Sequence, residues 1–455
     1  MTTAISRQYD SGLIRFILLL TVPLLFLPKI NLLKIGGETA GLRIDDLFIF
    51  AAFCCILLGI ILSKRPLQTI ERYLIAVVLT SLLSFFINYI LYLAGYLITA
   101  GNLLYAIRMI EYFTFFYTGT FLIQFFNFSR LIQWFIAVNA VIMVLQWFGV
   151  IGAFSHVGYI ANTAHHSLGI TAGHWEMGFI LNLLYAVMLF SSHSRRFVHQ
   201  YLVVFQIRRH SISINCTKIA LFALFSLLIL MTGSRSSLAT FFLITLARLL
   251  LIPYWRIIVL GALLTTIIVA TTYLANTSVE QLPDSPMFAV LHRSQKLLQI
   301  ENFTLVKQLL HTIDISQTTL TDNYIDLSLD PDLPVDLSLY IRLHKWAYVV
   351  LYLAAKPLCI FFGLGPGFCG PALDGGLLRL FAENGLIGGS LFFLFIYQGC
   401  KHSRALKAAF AVFLLNMVFI DIYLAYKAMS LFFILIGAMT AQQHQKSVIP
   451  AKNRT

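Results

Sequence analysis

Arg342, Lys345 and Trp346 recur at i, i+3 and i+4 within the run Ser338 to Lys356, so a helix there carries two cations and an indole on one side. A guanidinium is a planar fork of donors that matches phosphate oxygens, so this face offers recognition of a phosphate-bearing head group. The same residues would equally anchor an interfacial helix at head-group level. Pro357 ends the run, and GLGPG (Gly363 to Gly367) follows. Its glycines either let exposed amides approach an anion or simply make a turn. Asp374 stands just before the next apolar run, inside which Arg379 and Glu383 follow at i, i+4 spacing. Charges at membrane depth are costly, so that pair either neutralises itself or faces a polar cavity.

Earlier in the chain, TGSRSSL (Thr232 to Leu238) places Arg235 in a very short loop between two apolar runs, among hydroxyls. Its guanidinium must find an anion or water, or snorkel to the surface. Arg108 and Glu111, three apart, read as a buried ion pair, and Asp421 with Lys427 as a weaker one. Glu176, just after His174, is a weaker candidate still. His156, His165 and His166 lack a metal-ligand spacing, which points to a loop rather than a zinc site. Asp330-Pro331-Asp332 has the look of a metal-binding DxD but lies in a run of acids, and no metal is assigned. No CxxC occurs, and a Cys359 to Cys369 disulfide stays open.

The elements that must hold these residues are membrane helices. The chain is 59% hydrophobic and 11% charged with a mean hydropathy of +0.83, whereas a soluble domain is about 25% charged. That excludes an ordinary soluble globule and predicts an all-α polytopic membrane protein. Runs long enough to cross the hydrocarbon fall near residues 13 to 33, 46 to 63, 73 to 96, 102 to 126, 131 to 152, 175 to 191, 217 to 232, 236 to 252, 257 to 275, 377 to 398, 405 to 421 and 425 to 441. That makes about twelve spans. The run Leu13 to Leu27 lacks a small-residue cleavage site and reads as an uncleaved first span.

The net charge of +13 would suggest nucleic acid in a soluble chain. Here it is the position of each cation that informs. Arg7, Lys64, Arg65, Arg72, Arg130, Arg195, Arg196, Arg208, Arg209, Lys218, Arg248, Arg256, Lys401, Arg404, Lys407, Lys446, Lys452 and Arg454 crowd one side of the expected spans, which predicts cytoplasmic termini. The opposite side receives two long loops, 153 to 174 and 276 to 376; the second opens with a run carrying His292, Arg293 and Lys296 and then turns acidic. The expected organisation is therefore an N-terminal bundle over 1–275, a large outer loop over 276–376, and C-terminal helices over 377–455. A loop of that length in a thrifty chain predicts function.

TGSRSSL, R-x3-W, G-x-G-x-G and L-x2-FAENGLIGG, with RIDDL (Arg43 to Leu47) before the second span and a long outer loop late in the chain, resemble the O-antigen polymerase and O-antigen ligase superfamily of bacterial inner-membrane glycosyltransferases. The resemblance implies a metal-independent, cofactor-free transfer of glycan from a polyprenyl diphosphate carrier, outside the cytoplasmic membrane. Carried over by position, Arg235 and Arg342 would bind the diphosphate, with Lys345 beside them and Gly363, Gly365 and Gly367 as the family's glycine turn. Ligases of the superfamily carry His-Asn where this chain has Asp374-Gly375, which argues for a polymerase. The general base is left open, with Asp374 the first candidate because a carboxylate can take a hydroxyl proton. Implied partners are lipid-linked repeat units, membrane lipids and a chain-length regulator, but no nucleic acid. The rivals are a ligase and a transporter, the latter expected to show paired halves and discontinuous helices with midplane charges.

Overall fold

The computed structural model describes residues 19–27, 31–34, 41–63, 66–91, 100–125, 128–154, 166–190, 202–207, 210–251, 337–370 and 373–448, together with isolated positions. Helices dominate because an apolar stretch in lipid must satisfy every backbone group within itself. In chain order they are α1 (Ile44–Ser63), α2 (Thr69–Leu91), α3 (Leu103–Phe125), α4 (Phe128–Trp147), α5 (His174–Phe190), α6 (Cys216–Thr232), α7 (Arg235–Leu250), α8 (Leu337–Ala355), α9 (Leu358–Phe362), α10 (Gly376–Cys400), α11 (Arg404–Met417) and α12 (Tyr426–Val448). Segments of α1, α2, α4 and α10 are long and apolar enough to cross a membrane. Those in α5, α6 and α12 are apolar but shorter. The exposed side chains of α1 and α4 include Leu58, Ile61, Leu62, Trp134 and Val141, a surface suited to lipid. The protein is a helical, membrane-embedded one.

Helices stand where the apolar runs from 46–63 to 236–252 and from 377–398 to 425–441 predict them. The first run differs. Within 13–33, Pro23–Leu25 forms a 3₁₀ turn and Asn31–Lys34 a strand, β1, which pairs antiparallel with β2 (Gly41–Arg43). Pro23 at the start of the turn has no N–H to donate, which stops a helix from running through to residue 33. A second hairpin, β3 (Leu202–Ile207) with β4 (His210–Asn215), occupies a basic segment read as plain loop. The expected span 257–275, most of the 276–376 loop with Asp330 to Asp332, and His156 and His165 lie outside the described residues.

The core includes a tightly packed helix pair. α3 and α12 approach so tightly that a Cβ on Gly119 would lie 2.2 Å from Ile434 O, and one on Gly437 2.0 Å from Phe116 O. Small residues permit such contact where burial from water is not the driving force. Around this pair, α10 packs between α2 and α11, and α5 between α6, α7 and α11. Arg108, expected to pair with Glu111, donates from Nη1 to Leu424 O at 3.1 Å, and its guanidinium lies 5.9 Å from the Tyr105 ring centre. No disulfide joins Cys359 to Cys369, and Cys359 Sγ donates to Asn88 Oδ1 at 3.7 Å.

Candidate functional site

The site grows from a break in a membrane helix. Gly385 interrupts α10 with φ +68 and ψ +178. A break leaves carbonyls of the preceding turn without their helical donors. The glycine turn supplies replacements: Leu364 N donates to Ala382 O at 2.6 Å, and Gly365 N to Glu383 O at 3.2 Å. From α2, Ser84 Oγ donates to Glu383 O at 2.8 Å and Asn88 Nδ2 to Gly363 O at 2.8 Å. The backbones interlock so closely that a Cβ on Gly363 would lie 2.3 Å from Glu383 O, and one on Gly385 2.1 Å from Phe361 O. Gly363, Gly365 and Gly367 all have positive φ, and the whole turn is buried. Gly367 packs on Tyr105 and Asn102, and Asn102 Nδ2 donates to Pro366 O at 3.2 Å. The expectation of exposed amides awaiting an anion therefore fails for Leu364 and Gly365, whose N–H groups the broken helix takes.

Just above the break lies a cluster of buried charge. Arg379, fully buried, donates from Nε to Glu383 Oε1 at 3.0 Å and from Nη1 to Asp421 Oδ2 at 2.8 Å, while Nη2 reaches Gly370 O. Glu383 also accepts from Cys369 N at 3.3 Å and from the Tyr423 hydroxyl at 2.7 Å. The expected Arg379–Glu383 neutralisation thus exists as part of a larger network. Lys427, the expected partner of Asp421, donates from Nζ to Leu27 O. The Asp421 carboxylate accepts from three successive amides: Leu373 N at 2.7 Å, Asp374 N at 3.2 Å and Gly375 N at 3.1 Å. All these bonds tie down the loop between α9 and α10.

That loop presents Asp374, which has φ +56 and is the one non-glycine residue with positive φ among those described. Its carboxylate accepts from Arg342 Nε at 3.2 Å, with the two side chains 42% and 35% exposed. One turn along α8, Trp346 Nε1 donates to Leu373 O at 3.1 Å. Arg342, Lys345 and Trp346 therefore share a helix face, as the spacing predicts, and that face closes on the Asp374 loop. Lys345 is nearly buried there. Burial draws its pKa below the usual lysine value, and the carboxylates of Asp374 and Asp421 partly offset this.

Arg235 stands apart. It opens α7 after Gly233 (φ +64), and the surrounding hydroxyls serve the backbone rather than the guanidinium. Ser234 Oγ accepts from Ser237 N at 3.4 Å and from Ser237 Oγ at 2.8 Å, and Thr232 Oγ1 donates to Ile229 O at 2.6 Å. The Arg235 side chain is exposed, and among the described residues no hydrogen bond or ion pair joins it to Arg342, Lys345 or Asp374. The described end of the 153–174 loop packs beside it, with His166 Nδ1 3.2 Å from Thr232 O. Glu176 serves the neighbouring helix start, accepting at Oε1 from Lys427 N at 3.0 Å and Ala428 N at 3.3 Å.

Chemically, the exposed surface offers one carboxylate, one guanidinium and a nearly buried amine side by side. Among the described residues, no group of three or more His, Cys, Asp and Glu side chains is placed to hold a metal ion. Asp421, read from the sequence only as a weak ion pair with Lys427, and Tyr423, which sequence reasoning missed, are further members of the buried charge cluster. Both stand in the short connection between α11 and α12, where an acid between two apolar helices is itself a signal. No protein-family model and no curated protein matches this chain, so the reading of the site rests on its own geometry.

Proposed function

We propose that the protein is a polysaccharide polymerase of the O-antigen type. It transfers a growing glycan from a polyprenyl diphosphate carrier to a sugar hydroxyl of the next lipid-linked repeat. In this reading it spans a bacterial inner membrane about twelve times, with termini in the cytoplasm and the Arg342 face in the periplasm. The observation that carries the proposal is the Arg342–Asp374 pair, a phosphate-binding group on a proton acceptor at an accessible surface. In the proposed step the acceptor oxygen attacks the anomeric carbon, the bond to the phosphate oxygen breaks with its electron pair, and the hydroxyl proton passes to Asp374. The anomeric configuration inverts.

Charge supports that sequence of events. The cations Arg342, Lys345 and Arg379 face the carboxylates of Asp374, Glu383 and Asp421. Resting charge is thus balanced. When Asp374 takes a proton the cluster gains one positive charge, at the moment when charge develops on the leaving diphosphate. Exchanging its Asp374 contact for phosphate oxygens also costs Arg342 little, because a half-exposed ion pair stabilises by only about 0–1 kcal/mol.

Arg342→Ala should leave membrane insertion intact and lower chain growth about 100-fold or more, the scale of losing one transition-state donor. Normal long-chain glycan in that variant would remove Arg342 from the mechanism. In a deletion strain, a single repeat on the lipid core supports polymerisation and a bare core points to a ligase. One observation favours a second reading: a discontinuous helix with buried charges beside the break also suits a transporter of the lipid-linked repeat. Loss of all repeats from the outer leaflet of the deletion strain would select it.

A further inference from the structure

The loop carrying Asp374 is held from beneath by a residue in a different part of the chain. We infer that Asp421 is a positioning residue, which sets the Asp374 carboxylate against Arg342 by gripping the backbone on both sides of it. The inference deepens the polymerase reading and rests on it for the catalytic part of its test.

Three consecutive N–H groups, those of Leu373, Asp374 and Gly375, converge on one carboxylate at 2.7, 3.2 and 3.1 Å. Convergence of that kind needs the chain to curl around the acceptor, and Asp374 meets the need by adopting φ +56. A non-glycine residue keeps such a conformation only where its surroundings over-determine it. Asp421 is itself aimed by Arg379, whose Nη1 lies 2.8 Å from the same Oδ2 that accepts from Leu373 and Asp374. Arg379 is fixed in turn by Glu383 at 3.0 Å. Asp421 is buried against the loop, its carboxylate engaged by the amides of 373–375 and by Arg379. It therefore acts through Asp374 rather than on substrate. A carboxylate used only to neutralise Arg379 would have no reason to gather the amides on either side of Asp374.

Two measurements on the full-length protein test this. In lipid nanodiscs, hydrogen exchange is compared between the native protein and Asp421→Asn. The peptide covering 373–375 should exchange about tenfold faster or more, the scale of losing charge-assisted bonds to amides. Peptides from the second half of α10 and from α12 should be unchanged. Unchanged exchange at 373–375 would overturn the inference, as would loss of protection throughout α10 and α11, which marks a general structural role. The second measurement compares glycan chain length in a deletion strain carrying Asp374→Asn, Asp421→Asn or both. If Asp421 acts through Asp374, the double variant is no worse than Asp374→Asn alone; losses that add would overturn the inference. Should Asp374→Asn polymerise normally, the proposed proton acceptor is wrong, and the exchange experiment still judges Asp421 by itself.

Discussion

Lys345 is the residue at which stability and chemistry pull in opposite directions. Burial disfavours its charged form and the carboxylates of Asp374 and Asp421 only partly compensate, so the ammonium is kept at a cost to folding. The sign follows from the lowered pKa. Below it the folded protein carries the full cost of the buried charge, and that cost falls away as pH rises towards the ordinary lysine value. Lys345→Met keeps the length of the stem and removes the charge. Its thermal midpoint in detergent should match or exceed that of the native protein near neutral pH, while chain growth falls at least about tenfold. A midpoint well below native would mean that Lys345 is mainly structural. The pairing of Arg342 and Lys345 on one face was legible in the sequence, because helical spacing fixes which side chains are neighbours. The hold of Asp421 on residues 373–375 was not legible. It joins positions 46 to 48 residues apart and uses backbone amides, which leave no mark in residue type.

α10 shows what periodicity sees and what it misses. The apolar run over 377–398 predicts one continuous span, and its ends are right to within a residue or two. The break inside it rests on Gly385, which follows Glu383 and Asn384, a polar dip too short to interrupt an apolar run of span length. FAENGLIGG stands out in the sequence as a motif, but what its first glycine does shows only in the backbone contact between Gly363 and Gly385. The two roles of glycine can be separated by experiment. Gly370 and Gly385 have nearly equal φ, +69 and +68, but a Cβ on Gly370 meets nothing within 4 Å, whereas one on Gly385 would lie 2.1 Å from Phe361 O. Gly370→Ala should therefore lose only about 1–2 kcal/mol, the cost of the left-handed conformation. Gly385→Ala adds a clash between two backbones that cannot both give way, and should fail to yield monodisperse protein by fluorescence-detected size exclusion. Equal behaviour of the two variants would show that the interlock is not needed for folding.

At the scale of the whole molecule, the helix ends sort the chemistry. Ser84 and Asn88 at the far end of α2 meet the glycine turn, Arg108 near the start of α3 meets Leu424, and Glu176 at the start of α5 meets Lys427. Gly178 packs on Ser237, two residues beyond Arg235. Arg235, Arg342, Asp374 and Asp421 therefore belong to one end of the bundle, although more than 100 residues separate Arg235 from the others. Arg72, Arg130, Arg248, Lys401, Arg404 and Lys407 stand at the opposite ends of their helices or in the turn joining α10 to α11. In a bacterial inner membrane, a membrane potential and anionic lipids would hold such a basic end in the cytoplasm and turn the Asp374 end outward. A phosphatase reporter that works only outside the cytoplasm should be active when fused after Asp374 and inactive when fused after His402. A fluorescent protein that folds only inside should give the reverse. The opposite pattern would put Arg342 and Asp374 where nucleotide sugars, not lipid-linked repeats, are the available donors, and the polymerase reading would fall with it.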